Sequence, residues 1–112
     1  MMRIEATIKP FVLDRVRESL GKLGIRELTE YQVSSFGAER GHQEVFRGCE
    51  YVVESVPRVK LDFVVQDALA DKAIQAISEA ARTRSGVDGN ILLLPVLKSV
   101  TIGPAAVLDR AS

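Results

Sequence analysis

The hydrophobic period of this chain changes from two to 3.6 twice, in the same order each time. That repetition restricts the fold more than any other feature. Residues 2 to 8 alternate, with Met2, Ile4, Ala6 and Ile8 on one face and Arg3, Glu5 and Thr7 on the other, which predicts a half-buried strand. Lys9-Pro10 ends it, because proline cannot donate a ladder hydrogen bond. From Phe11 onward Leu13, Val16, Leu20 and Leu23 fall on one helical face, while Asp14, Arg15, Arg17, Glu18 and Lys22 point away. Gly24 stands where a helix C-cap needs a left-handed residue. Residues 27 to 35 alternate again, Thr29, Tyr31, Val33 and Ser35 against Leu28, Glu30, Gln32 and Ser34, and predict a second strand.

The second unit begins with Val59, Leu61, Phe63 and Val65 alternating against Arg58, Lys60, Asp62 and Val64. Asp67 can cap the helix that follows, whose stripe is Leu69, Ala73, Ile74, Ile77, Ala80 and Ala81. Residues 83 to 90 (TRSGVDGN) form a turn in which Gly86 and Gly89 can take positive φ. Residues 91 to 94 open a last strand that Pro95 interrupts or confines to an edge, and 96 to 102 resume an extended pattern. The tail from 103 to 112 has no clear period. Two β-α-β units in succession predict an α+β ferredoxin-like βαββαβ sandwich, an antiparallel sheet with both helices on one face. The opposite sheet face carries Thr7, Thr29, Tyr31 and Val64, too little charge for a face left to water, so self-association is expected.

Between the units lie residues 36 to 57, FGAERGHQEVFRGCEYVVESVP. They show neither strand alternation nor a helical stripe and are broken by Gly37, Gly41 and Gly48. A connection of about twenty residues without structure of its own is uncommon in a compact domain and usually carries function. Glycine and charge outweigh apolar residues here, so residues 38 to 54 are expected to be mobile, or held by a neighbour, in the ligand-free protein.

With 112 residues, one domain spanning 1–112 is expected, and a hydrophobic fraction of 46% can fill its core. Fifteen acidic residues balance fifteen basic ones, and aromatics are 5% without tryptophan, which argues against nucleic acid or anionic membrane as a general partner. One cysteine cannot close an internal disulfide. The N-terminus lacks a signal-peptide core, and no apolar run spans a bilayer, so a cytoplasmic protein without membrane insertion is expected.

The residues that carry a resemblance are IEATIKPFVLDRVRESLGKLGI at the start and FGAERGHQEVFRGCEYVV in the loop. The first is similar to IKPFKLDxVRExLxxxGI and the second to FGRQKGHTELYRGAEYVV, with a shared GHxExxRGxEY core. Over residues 1 to about 102, without gaps, the chain resembles the PII signal-transduction proteins of nitrogen and carbon metabolism. The resemblance implies a homotrimer with adenine nucleotide (ATP, ADP or AMP) bound between subunits. It also implies a T-loop, residues 37 to 56, that docks on a target enzyme or membrane transporter. Thr29, Gly37, Asp62, Val64, Asp88 and Gly89 match positions of the nucleotide pocket, Asp62 shortening a glutamate. Glu39 and Arg58 match the 2-oxoglutarate site, where Glu39 would also ligate Mg²⁺. Tyr51 matches a tyrosine that is uridylylated in some members. Arg40, His42, Glu44, Phe46, Arg47 and Glu50 lie along the partner-binding loop.

The chain departs from the PII pattern at the phosphate end. Ala38, Asn90, Thr101 and Gly103 stand where the pattern has cations, and Arg84, Ser85, Gly86 and Val87 replace Gly-Lys-Ile-Gly. Losing four donors at about 1.5 kcal/mol each would cost several orders of magnitude in triphosphate affinity. ADP or AMP is therefore expected to bind at least as well as ATP. A variant input such as bicarbonate, AMP or a cyclic nucleotide is the second reading, and a small enzyme using His42 and Glu44 is the third. His42 is the only histidine. His42-Gln43-Glu44 lacks the Pro-Cys-x-x-Cys half of a zinc deaminase, and Glu39, His42 and Glu44 are better explained as solvated polar residues than as a metal cluster. Gly86 and Gly89 fit a phosphate cradle and a plain turn alike, and Cys49 has no second cysteine to resolve it.

Overall fold

A computed structural model describes residues 1–36, 44–46, 50–52, 55–84, 86–104 and 107–109, and along 44–46, 50–52 and 107–109 the backbone alone. The first unit is β1 (Met2–Ile8), a single 3-10 turn (Pro10–Val12), α1 (Leu13–Lys22) and β2 (Thr29–Phe36). Two short strands follow, β3 (Glu44–Phe46) and β4 (Glu50–Val52). The second unit is β5 (Ser55–Val65), α2 (Asp67–Ala81) and β6 (Gly89–Pro95), and β7 (Val100–Ile102) and β8 (Val107–Asp109) close the chain.

The main sheet has the order β2-β5-β1-β6, and every neighbouring pair is antiparallel. This is the ferredoxin-like arrangement that the doubled period predicts. Inward positions of the alternation are those that bury. Ile4, Ala6 and Ile8 of β1 and Val59, Leu61, Phe63 and Val65 of β5 join Val12, Val16 and Leu20, and Ala70, Ala73, Ile77 and Ala81 of α2, in one core. At about 25 cal/mol per Å² of apolar surface, each fully buried Ile or Leu contributes on the order of 2 kcal/mol.

Gly24 takes φ +86°, as the C-cap requires. Its N–H bonds the Gly21 carbonyl at 2.9 Å, and the Ile25 N–H reaches back to Leu20 at 3.0 Å, so two orphan carbonyls of α1 are satisfied. Ile25 then buries in the core and fixes the direction of the chain leaving the helix. Pro57 is tolerated in β5 because that end of the strand pairs with β2 alone, β1 joining only from Val59.

Four expectations need correction. Asp67 does not cap α2. Gln66 is the N-cap, without a side-chain bond, and Asp67 is already helical. Its carboxylate meets the Met1 amino group at 2.8 Å and supplies negative charge to the first turn. The loop is not devoid of strand, because Glu44, Val45 and Phe46 pair antiparallel with Val52, Tyr51 and Glu50. β5 begins at Ser55, three residues before Arg58, where the alternation becomes visible, and with β2 forms the stem beneath that loop. Finally, the tail pairs back on the chain through β7 and β8. Strands of three residues are too short to display a period, which is why the β3–β4 and β7–β8 pairings were not legible. The expectation of mobility over 38 to 54 falls largely outside the described residues.

Candidate functional site

The sheet face away from the helices is built in cross-strand rows. Thr29, Asp62, Glu5 and Leu92 form one row across β2, β5, β1 and β6, and Tyr31, Lys60, Thr7 and Asn90 form the next. Val64, Arg3 and Leu94 continue the face on the other side of Asp62. Tyr31, Val64 and Leu92 are exposed on it. An apolar, partly charged face of this kind is normally covered in the working assembly.

Its charges are paired. Arg3 donates through Nε and Nη2 to the two Asp62 oxygens at 3.0 and 2.7 Å, a fork-to-carboxylate bond of the stronger class. Arg3 Nη2 also lies 2.6 Å from Glu5, and Lys60 approaches the other Glu5 oxygen at 3.8 Å. The hydrogen bond from Arg3 holds the Asp62 carboxyl below its ordinary value against the opposing effect of burial, and the charges of Arg3 and Lys60 add to it. The same bond raises the Arg3 guanidinium.

Of the expected nucleotide-pocket residues, Thr29 and Asp62 are direct cross-strand partners and Val64 lies two residues along the same face. Asp88 and Gly89 stand elsewhere, at the start of β6 beside Ile8. Gly89 and Asp62 are separated by two interstrand steps and three residue steps, roughly 14 Å at about 4.8 and 3.3 Å per step. A single chain does not bring the two groups together. Gly37 lies outside the described residues.

The turn before β6 has its own polar centre. Asp88 Oδ2 accepts the Thr83 N–H at 2.8 Å, and Oδ1 accepts the Thr83 hydroxyl and lies 3.4 Å from Lys9 Nζ. The Thr83 hydroxyl bond, then the Thr83 N–H bond, with a smaller contribution from Lys9, hold the Asp88 carboxyl below the usual aspartate range. Gly86 and Gly89 both take positive φ, +71° and +152°. A Cβ on Gly89 would lie 2.1 Å from the Thr7 carbonyl oxygen, so backbone packing by itself demands glycine there. Beside this turn a cleft of about 380 Å³ runs along α2 and β6, with Ile74, Ile77, Arg82, Asp88 and Asn90 in its wall.

A groove of about 610 Å³ opens at the base of the loop stem, walled by Pro10, Gln32, Val33, Ser34, Pro57, Arg58 and Val59. Arg58, expected as the carboxylate clamp, is 8% exposed and donates to the Pro57 carbonyl at 2.9 Å. It is the one buried charged residue among those described. Its partner in that expectation, Glu39, lies outside the described residues, as do Arg40, His42 and Arg47. Glu44, Phe46, Glu50 and Tyr51 are placed in the β3–β4 hairpin by backbone alone. Among the described residues, no group of three His, Cys, Asp or Glu side chains could hold a metal ion. Nor is any described helix long and apolar enough to cross a membrane. Sequence reasoning missed Arg3, Lys9 and Thr83. The only local signal was an Arg-x-Glu pair on a strand and a lysine before a proline.

Comparison with known proteins meets this geometry. The family model for nitrogen regulatory protein P-II matches residues 1–105. Curated relatives described as nitrogen regulatory protein P-II include those of Haemophilus influenzae, 48% identical, Azospirillum brasilense, 46%, and Rhodospirillum rubrum, 43%. Each match extends over 102 residues and covers 91% of both chains.

Proposed function

Since the chain belongs to the nitrogen regulatory protein P-II family, we propose that it is a non-catalytic homotrimeric regulator of nitrogen metabolism. In this reading it senses an adenine nucleotide in clefts between subunits and acts on a partner enzyme or transporter through residues 37 to 56. The observation that carries the reading is the division of the pocket. Thr29, Asp62 and Val64 stand on one side of the sheet and Asp88 and Gly89 some 14 Å away by strand spacing, which supports a pocket completed by a neighbouring copy. The apolar outward residues Tyr31, Val64 and Leu92 supply a reason for copies to associate.

The ligand follows from the charge around the turn. Asn90, Thr101 and Gly103 are neutral, and Lys9 is paired with Asp88. Arg82 and Arg84 are the exposed cations nearby. Beyond these two a third phosphate would find no further cation at Asn90, Thr101 or Gly103, and its desolvation would be compensated only in part. ADP or AMP should therefore bind at least as well as ATP, and Arg58 at the loop base is the residue to receive a small carboxylate or bicarbonate.

Light scattering and calorimetry test this together. The expected result is a trimer at micromolar concentration and an affinity series that is flat from AMP to ATP. A monomer removes the clefts and with them the proposal. ATP bound tenfold or more tightly than ADP, with further tightening by 2-oxoglutarate and Mg²⁺, refutes the reading of the phosphate end.

A further inference from the structure

The carboxylate of Asp88 faces its own chain. Both oxygens are engaged with Thr83, one through the backbone N–H and the other through the hydroxyl, and Lys9 Nζ approaches from the end of β1. The Lys9 and Asp88 side chains are only 16% and 17% exposed, so this pair is shielded from water more than a surface ion pair. One residue on, Gly89 presses against the Thr7 carbonyl so closely that no side chain fits. The turn is thus pinned at two points, by packing at Thr7 of β1 and by charge at Lys9 just beyond the end of that strand. Elsewhere it has little burial to hold it, since Arg84, Gly86 and Val87 are exposed.

We infer that Lys9, Thr83 and Asp88 are positioning residues that fix the 83–89 turn against the end of β1, and that Asp88 serves the nucleotide site through this turn without touching the ligand. The inference rests on the nucleotide-binding function proposed above. Its chemical ground is that an ionised carboxylate only accepts hydrogen bonds, so beside a phosphate it repels. A carboxylate in an anion site is useful when it orders the backbone that faces the anion. Lys9 adds a smaller contribution to the two Thr83 bonds that hold this carboxylate charged and directed inward. The Lys9 backbone has a second duty, its carbonyl accepting the Val12 N–H at 3.2 Å, which starts the 3-10 turn leading into α1. Side-chain substitutions at Lys9 leave that bond intact, so the effect on the turn can be read separately.

The test uses the full-length protein with Lys9→Gln, Thr83→Val and the conservative Lys9→Arg, read by amide hydrogen exchange and by calorimetric titration with ADP. Lys9→Gln should speed exchange of the Thr83 N–H about tenfold and weaken ADP about tenfold, the scale on which groups that orient a binding residue are felt. Thr83→Val should weaken ADP similarly, and Lys9→Arg should restore both readouts to within about twofold of wild type. Core amides of β1 and β5 should exchange as in wild type, which separates a local effect from general destabilisation. Unchanged exchange at Thr83 overturns the pinning of the turn. Faster exchange with unchanged ADP affinity overturns its service to the site. If the wild-type protein binds no adenine nucleotide, the proposed function fails, and exchange alone then judges whether Lys9 holds the turn.

Discussion

Gly89→Ala is the substitution whose cost the structure specifies most closely. Its Cβ would lie 2.1 Å from the Thr7 carbonyl oxygen, 3.2 Å from the carbonyl carbon and 3.3 Å from the Ile8 Cα. All three are backbone atoms of β1, which pairs with β5 on one edge and β6 on the other. That strand cannot retreat without breaking a ladder, so β6 must move instead. Forced shifts of this kind cost about 1–3 kcal/mol. The backbone at φ +152° is a region that side chains rarely adopt, and holding alanine there adds roughly 1–3 kcal/mol. The sum, about 2–6 kcal/mol, is a large fraction of the roughly 5–15 kcal/mol that stabilises an ordinary domain. Gly86→Ala is the control, because that residue also has positive φ but meets no atom within 4 Å. Left-handed strain alone should cost about 1–2 kcal/mol there. Urea unfolding followed by circular dichroism, at one fixed protein concentration, measures both. If the two variants fall within about 0.5 kcal/mol of each other, steric contact with Thr7 is not what requires glycine. The phosphate-cradle reading of Gly89 would then regain its force.

Two further outcomes follow from the core and the sheet. Ile77→Ala, at 1% exposure in the centre of α2, should destabilise by about 2–5 kcal/mol in the same unfolding assay, whereas Gln75→Ala on the exposed face should change it by less than about 0.5. Asp62 and Asp88 are both held below the ordinary aspartate value of 3.8. The unfolded chain therefore binds more protons in acid, so stability is complete above that value and falls as pH drops through it. Asp62→Asn should flatten part of this acid limb in unfolding midpoints measured from pH 6 to pH 2. A limb of unchanged steepness would show that the Arg3 pair does not contribute.

What the sequence disclosed and what it hid separate by the distance over which each feature acts. α1 and its end at Gly24 were legible because a period of 3.6 and a C-cap are written in neighbouring residues. Both orphan-carbonyl bonds at that end close within six residues, from Leu20 to Ile25. The inward alternation of β1 and β5 was legible for the same reason, and with it the sheet. Asp67 misled because a cap and a first helical residue differ by one position and share the same preferred side chains. The hairpin of β3 and β4 was hidden because three residues show no period. The ion pairs of the candidate site lie at the far end of this scale. Arg3 and Asp62 are 59 residues apart, and Lys9 and Asp88 meet only after both β-α-β units have folded.

The same distinction bears on which residues act on a ligand. Resemblance carries over residue types by position, and by that route Asp62 and Asp88 entered together as pocket residues. In the folded chain each carboxylate is already engaged, Asp62 with Arg3 and Asp88 with Thr83 and Lys9. Neither can turn to a ligand without breaking a charge-assisted bond, which costs more than an ordinary hydrogen bond when it is partly shielded. Two acids so engaged are thus better suited to hold strands and turn in register than to meet an anion. If the chain senses an adenine nucleotide as proposed, the groups left to recognise the base would be the Thr29 hydroxyl, the Val64 side chain and the backbone about Gly89, which are uncharged and tolerate a neighbouring phosphate.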